Sequence, residues 1–90
     1  MQTTFKKQIV SRDAILKALS EFAALYPNTN DYDEWLEKGT YHFAIEFNGK
    51  LYPPKHILSQ VSGFDTSTFG GGEETNRVFR KLGFNVVDKP

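Results

Sequence analysis

The sequence predicts a small single-domain α+β fold: an N-terminal helix, a β-hairpin with an Asn-Gly turn, two short C-terminal helices and a short edge strand. Three observations predict it. Apolar residues recur at helical spacing from Ile15 to Tyr26. Apolar and polar residues alternate from Tyr41 to Phe47, directly before Asn48-Gly49. Pro53-Pro54 and the glycines at 70–72 each precede a short run with one apolar face.

Residues 1–10 carry no helical stripe, and Phe5, Ile9 and Val10 suit a short strand or an arm lying on the core. Ser11 stands where an N-cap belongs, with Asp13 in the first turn, where a carboxylate favours the positive end of the helix dipole. Ile15, Leu16, Leu19, Phe22, Ala23 and Tyr26 follow as one stripe, which Pro27 ends. The stripe reads as core, not as a cofactor face. Asn28-Thr29-Asn30 is a polar loop. Asp31 and Glu34 have the spacing of a capping box, opening a short helix with Trp35 and Leu36 that stops at Gly39.

In the next strand Tyr41, Phe43, Ile45 and Phe47 face one side and His42, Ala44 and Glu46 the other. Asn48-Gly49 is the strongest short hairpin signal, and Lys50-Leu51-Tyr52 returns. A helix then starts at Pro54, because the missing proline N–H would be unpaired in a first turn anyway. Ile57, Leu58 and Val61 face inward and Gly63 closes it. Residues 64–72 are irregular. Glu73 and Glu74 lead a final helix with Val78, Phe79 and Leu82 on its buried side, and Gly83 followed by Phe84 matches a glycine cap with its hydrophobic contact. Asn85-Val86-Val87 adds the edge strand.

A chain of 90 residues has room for one core, so residues 1–90 are a single domain. Eight Phe, four Tyr and one Trp compensate for the small interior, since each buries a large area. Cysteine is absent, which removes disulfides and thiolate metal sites from the account and suits a reducing cytoplasm. No apolar run approaches a membrane span and no signal-peptide core is present, so a soluble cytoplasmic protein without a membrane partner is expected. The 11 basic and 11 acidic residues cancel, and no global field draws the protein to nucleic acid. The distribution is uneven, however. Asp31, Asp33, Glu34 and Glu37 make the middle acidic, without calcium-loop spacing, while Lys50, Lys55, Arg77, Arg80 and Lys81 load the second half with positive charge.

The segments YPPKHIL (Tyr52–Leu58) and FGGGEETNRVFRKLGF (Phe69–Phe84), preceded by a strand–turn–strand, resemble the N-terminal head domain of ScoMcrA-like modification-dependent HNH endonucleases. In that family a hairpin ends in Tyr-Pro-Pro-Lys before a helix, and a Gly-Gly-Glu stretch with Thr-Asn opens a second helix ending in Leu-Gly-Phe. The resemblance runs from Trp35 to Val87. It implies a restriction or defence context with DNA, including modified DNA, as the partner. It does not imply nuclease activity: the HNH motif needs paired histidines and an asparagine around a metal, and normally lies in a separate domain. Here His42 and His56 stand alone on different elements, with no metal-ligand spacing. The chain is read as non-catalytic, with no cofactor and no metal, and its ending at 86–90 reads like a domain boundary.

The candidate nucleic-acid-binding residues are Lys50, Tyr52, Lys55, His56, Thr75, Asn76, Arg77, Arg80 and Lys81. Lys55 sits in the first turn of a helix whose free N–H groups attract anions, where a lysine is either useful to a docking phosphate or an ordinary solvated surface residue. His56, beside it, either donates to a phosphate or is an ordinary exposed histidine. Glycines 70–72 lack a Gly-Lys-Ser/Thr or GxGxxG pattern, and the two glutamates after them would repel phosphate, so a turn is the better reading. Thr75 and Asn76 read first as groups that hydrogen-bond the backbone at a helix start, and second as base contacts. Arg77, Arg80 and Lys81 form a positive face suited to phosphate contacts, or a solvated side on which Arg77 and Lys81 lie within pairing distance of Glu73 and Glu74. Tyr52 and Phe69 have the shape to stack on a base, but a small interior needs both.

Two functions follow as expectations. One is a DNA-binding or DNA-positioning module of a restriction system. The other is a protein-interaction module docking on further domains or subunits of such an enzyme, which the zero net charge suits. A small hydrolase is not supported, because no nucleophile is paired with a base.

Overall fold

A computed structural model of the chain describes residues 1–25, 43–70 and 72–88. Its elements run β1 (Gln2–Phe5), β2 (Gln8–Ser11), α1 (Arg12–Leu25), β3 (Phe43–Phe47), β4 (Lys50–Tyr52), α2 (Pro54–Ser62), a single 3-10 turn (Thr66–Thr68), α3 (Glu73–Lys81) and β5 (Asn85–Asp88). This is the α+β arrangement expected. The loop at 28–30, the capping-box helix with Trp35, the proline stop at Pro27, and Tyr41, His42 and Gly71 lie outside the described residues.

The N-terminus departs from expectation. Instead of one strand or an arm, β1 and β2 form a complete hairpin, with Phe5 opposite Gln8 and Thr3 opposite Val10. Phe5 and Val10 enter the core at 1% exposure each, while Ile9, on the other face, is 62% exposed. Lys6 and Lys7 make the turn, a composition that gives no hairpin signal.

Ser11 caps α1, its Oγ accepting from the Ala14 N–H at 3.1 Å, a contribution of about 1 kcal/mol. Ile15, Ala18, Leu19 and Phe22 bury the inner stripe. In the three-stranded sheet β3 lies between β4 and β5, antiparallel to both. Ile45 stands opposite Tyr52 on one side and Val86 on the other. The strict alternation expected for β3 is modified: Ala44 is fully buried, while Phe43 and Phe47 are only half-buried. A methyl group at the middle of a central strand is covered by its neighbours, whereas rings at the strand ends keep one edge in solvent. Asn48 (φ 51°) and Gly49 (φ 78°) form the expected turn.

Ile57 and Leu58 of α2 and Val78 and Phe79 of α3 are fully buried in the same core as Phe5, Ile15, Leu19 and Ile45. The end of α2 is a left-handed cap, with the Gly63 N–H donating to the Ser59 carbonyl at 2.9 Å. The end of α3 is a full Schellman motif. The Phe84 N–H donates to the Phe79 carbonyl at 2.9 Å and the Gly83 N–H to the Arg80 carbonyl at 3.1 Å. Gly83 has φ 83°, and the rings of Phe79 and Phe84 meet edge to face at 6.3 Å.

Candidate functional site

The start of α2 is set by its two prolines. Pro53, extended at φ −76° and ψ 113°, ends β4 and occupies the N-cap, and its carbonyl accepts the Ile57 N–H at 3.1 Å. Pro54 has its φ preset for the first turn. No side chain caps this end and no acidic residue stands in the first turn. Lys55, half-exposed, and His56, exposed, therefore stand at the positive end of the helix, beside two buried prolines. The Lys55 Nζ lies 5.6 Å from the centroid of Phe69, and the exposed His56 ring meets Phe22 edge to face at 5.4 Å.

Phe69 belongs to a loop with its own internal order. Asp65 caps the 3-10 turn, its Oδ1 accepting from the Ser67 N–H at 2.9 Å while its carbonyl accepts the Thr68 hydroxyl at 2.6 Å. The Asp65 carboxyl is held below its ordinary pKa, first by the Ser67 N–H, then by the Ser67 side chain, with the charge of Lys55 adding least. Phe64 and Phe69, at the two ends of the loop, both stand edge-on to Phe5, at 5.9 and 5.1 Å. Lys6 reaches this loop from the β1–β2 turn. Its Nζ donates to the Thr68 carbonyl at 2.6 Å and lies 5.8 Å from the Phe64 centroid. Two ammonium groups from distant parts of the chain thus flank residues 64–69.

The start of α3 is different. Glu74 accepts the Gly70 N–H at 3.2 Å, and Glu73 pairs with Arg80 at 3.1 Å across two turns. Carboxylates already occupy this helix end, and the pairing falls on Arg80 where Arg77 and Lys81 were expected. Arg77 and Lys81 are exposed. Lys50 is exposed beside the Asn48–Gly49 turn, at the opposite end of β4 from Pro53.

Three of the candidate residues are interior. Tyr52 is 5% exposed and packs against Phe22, with ring centroids 5.7 Å apart, so it offers no face for a base to stack on. Thr75 is fully buried and its hydroxyl donates to the Gly70 carbonyl at 2.5 Å, the backbone bond expected of it. Asn76 is 1% exposed, and among the described residues neither its Oδ1 nor its Nδ2 has a hydrogen-bond partner. It neither caps α3 nor faces a groove, because the turn of helix that carries Val78 and Phe79 into the core carries Asn76 with it. The lysines at 6 and 7 are the members of the basic surface that sequence reasoning missed. Their only signal is adjacency between Phe5 and Val10, two apolar residues that a tight turn would bring to one face.

Among the described residues, no three His, Cys, Asp or Glu side chains are grouped so as to hold a metal ion, and no helix is long and apolar enough to cross a membrane. No family model matches the chain, and no curated protein or solved structure is significantly similar to it.

Proposed function

We propose that the chain is a DNA-binding or DNA-positioning module, non-catalytic by itself, that takes the phosphodiester backbone at the start of α2. The restriction or defence setting is part of the proposal and comes from the YPPK and GGGEETN segments. One observation carries the reading: Lys55 stands in the first turn of α2 over the ring of Phe69, with no acidic residue in that turn and no side-chain cap from the N-cap residue. A phosphate there gains backbone N–H groups, the helix dipole and an ammonium together. Phosphate contacts position a module without reading sequence, which suits a domain whose stacking candidates are interior.

The test is fluorescence anisotropy with a labelled duplex, plain and methylated, titrated from about 50 to 200 mM salt. Binding that weakens steeply with salt and is lost in Lys55→Glu supports the reading. Absence of binding to either duplex at low salt overturns it.

A second reading, a protein-interaction module docking on other domains or subunits of the same system, is favoured by the zero net charge and by the exposure of Met1 and Ile9, 78% and 62%. Its signature is a partner complex indifferent to salt.

A further inference from the structure

The described residues include two tight hairpin turns with matching φ angles and different side-chain chemistry. At Asn48–Gly49 the φ angles are 51° and 78°, and at Lys6–Lys7 they are 50° and 67°. Two successive left-handed residues are what a two-residue connection between right-twisted strands demands, and Asn-Gly meets that demand with least strain. Lysine has a β-carbon that crowds the following carbonyl in this region, and it lacks the short polar side chain that eases Asn into it. A non-glycine residue with positive φ is uncommon; two in succession, both with long side chains, are a local conflict.

The contacts of Lys6 offset part of this conflict, through the Thr68 carbonyl and the Phe64 ring. Nothing offsets it at Lys7. Lys7 is exposed, and no hydrogen bond, ion pair or ring contact holds it among the described residues. Neither lysine is ion-paired with a carboxylate among the described residues. The fold thus retains at residues 6–7 a strain that it avoids at residues 48–49, and what it presents there is two adjacent cations. Strain kept in this way is characteristic of a working surface.

We propose that the Lys6–Lys7 turn is a second phosphate-backbone contact for a nucleic-acid strand, continuous with the start of α2. The inference rests on the nucleic-acid reading given above and names a further part of the same site. Lys6 reaches the loop that Lys55 flanks, so the ammonium groups of Lys6 and Lys55 border one stretch of surface, residues 64–69, and Lys7 adjoins Lys6 in the turn. The chemistry points to the phosphodiester and not to bases. Lysine binds phosphate as a point charge. Phe69, under Lys55, is buried, and the half-buried Phe64 ring has the Lys6 Nζ over it, 5.8 Å from the centroid, so the loop presents cations and not bare rings. A two-stranded ribbon also presents its tip at fixed backbone geometry, so the ordering cost on docking a phosphate falls on the lysine side chains alone.

The test uses Lys7→Gly and the double variant Lys6→Asn/Lys7→Gly in the full chain, which rebuild the turn with the residues its backbone prefers. Both are expected to retain or raise the wild-type Tm. With a labelled duplex at about 50 mM salt, Lys7→Gly is expected to lose about tenfold in affinity, and the slope of log K against log salt is expected to fall by about 0.9 per lysine removed. Unchanged affinity and slope in the double variant, while Lys55→Glu still abolishes binding, overturn this inference and leave the reading of α2 intact. A wild type that binds no duplex overturns both. A Tm well below wild type in Lys7→Gly overturns the claim that Lys7 has no structural role. Loss of polyglutamate binding with DNA binding unaffected assigns the turn to an acidic protein partner and also overturns the inference.

Discussion

The Arg12 guanidinium holds the Leu82 carbonyl at the end of α3: its Nη1 donates at 2.6 Å, and its central carbon lies 4.6 Å from the centroid of Phe84. The first residue of α1 thereby closes the last turn of α3. A cation at a helix C-terminus meets the negative end of the dipole, and here it also stacks on the ring that completes the Schellman motif. Gly83 leaves room for this: a β-carbon on it would stand 3.2 Å from the Arg12 Nη1.

Arg12→Ala is expected to lower stability by about 2 kcal/mol, the value of a charge-assisted hydrogen bond with its stacking. Gly83→Ala is expected to cost more than Gly49→Ala. Both glycines have positive φ, but only at Gly83 does the added carbon meet a neighbour, since nothing lies within 4 Å at Gly49. The two effects at the α3 terminus should couple. In the Arg12→Ala background the cost of Gly83→Ala should shrink by roughly 0.5–1 kcal/mol. Urea denaturation of the four proteins in the cycle measures this, and strict additivity would mean that the close approach carries no energy.

Asn76 is the one buried side chain among the described residues whose polar atoms go unpaired. An unsatisfied buried amide costs about 1–3 kcal/mol, and an apolar residue of similar volume removes that penalty. Asn76→Leu is therefore expected to be at least as stable as wild type, and about 1 kcal/mol more stable if the leucine packs without strain. Asn76→Asp is expected to be strongly destabilised, because it buries a charge. A denaturation midpoint for Asn76→Leu well below wild type would sink this account of the residue.

Asp65 gives the acid limb of stability a defined component. Its folded-state pKa is lowered from 3.8, chiefly by the Ser67 N–H. A carboxylate with a depressed folded pKa contributes stability above its unfolded pKa, and that contribution is lost as pH falls through the folded value. Asp65→Asn should therefore narrow its stability gap to wild type below about pH 4. Carboxyl carbon chemical shifts followed by NMR should place the Asp65 midpoint below 3.8, and Lys55→Gln should raise it only slightly, because the Lys55 charge is the least of the lowering causes. A midpoint at or above 3.8 contradicts the capping bond.

Local rules carried most of the fold. Ser11 as N-cap, Asn48–Gly49 as turn, Pro54 as first helical residue, and Gly63 and Gly83 as caps are each decided by backbone stereochemistry within a few residues, and all are read from the chain directly. The periodicities of α1, α2 and α3 likewise state which face must leave water. What the chain alone did not decide is whatever depends on partners far along it. The Lys6–Lys7 turn contradicts its local preference, and the hairpin forms because Phe5 and Val10 find a core that α2 and α3 help to build. Arg12 finds Leu82, and Lys6 finds Thr68, across separations of 70 and 62 residues. The candidate surface follows the same division. Lys55 at its proline-started helix, the place of Tyr52 in the core and the glutamates at the α3 start were legible, whereas the burial of Thr75 and Asn76 and the arrival of Lys6 beside the loop at 64–69 were not. A helix or a turn is chosen by short-range sterics, but exposure and charge proximity are properties of the packed chain, and only tertiary structure decides them.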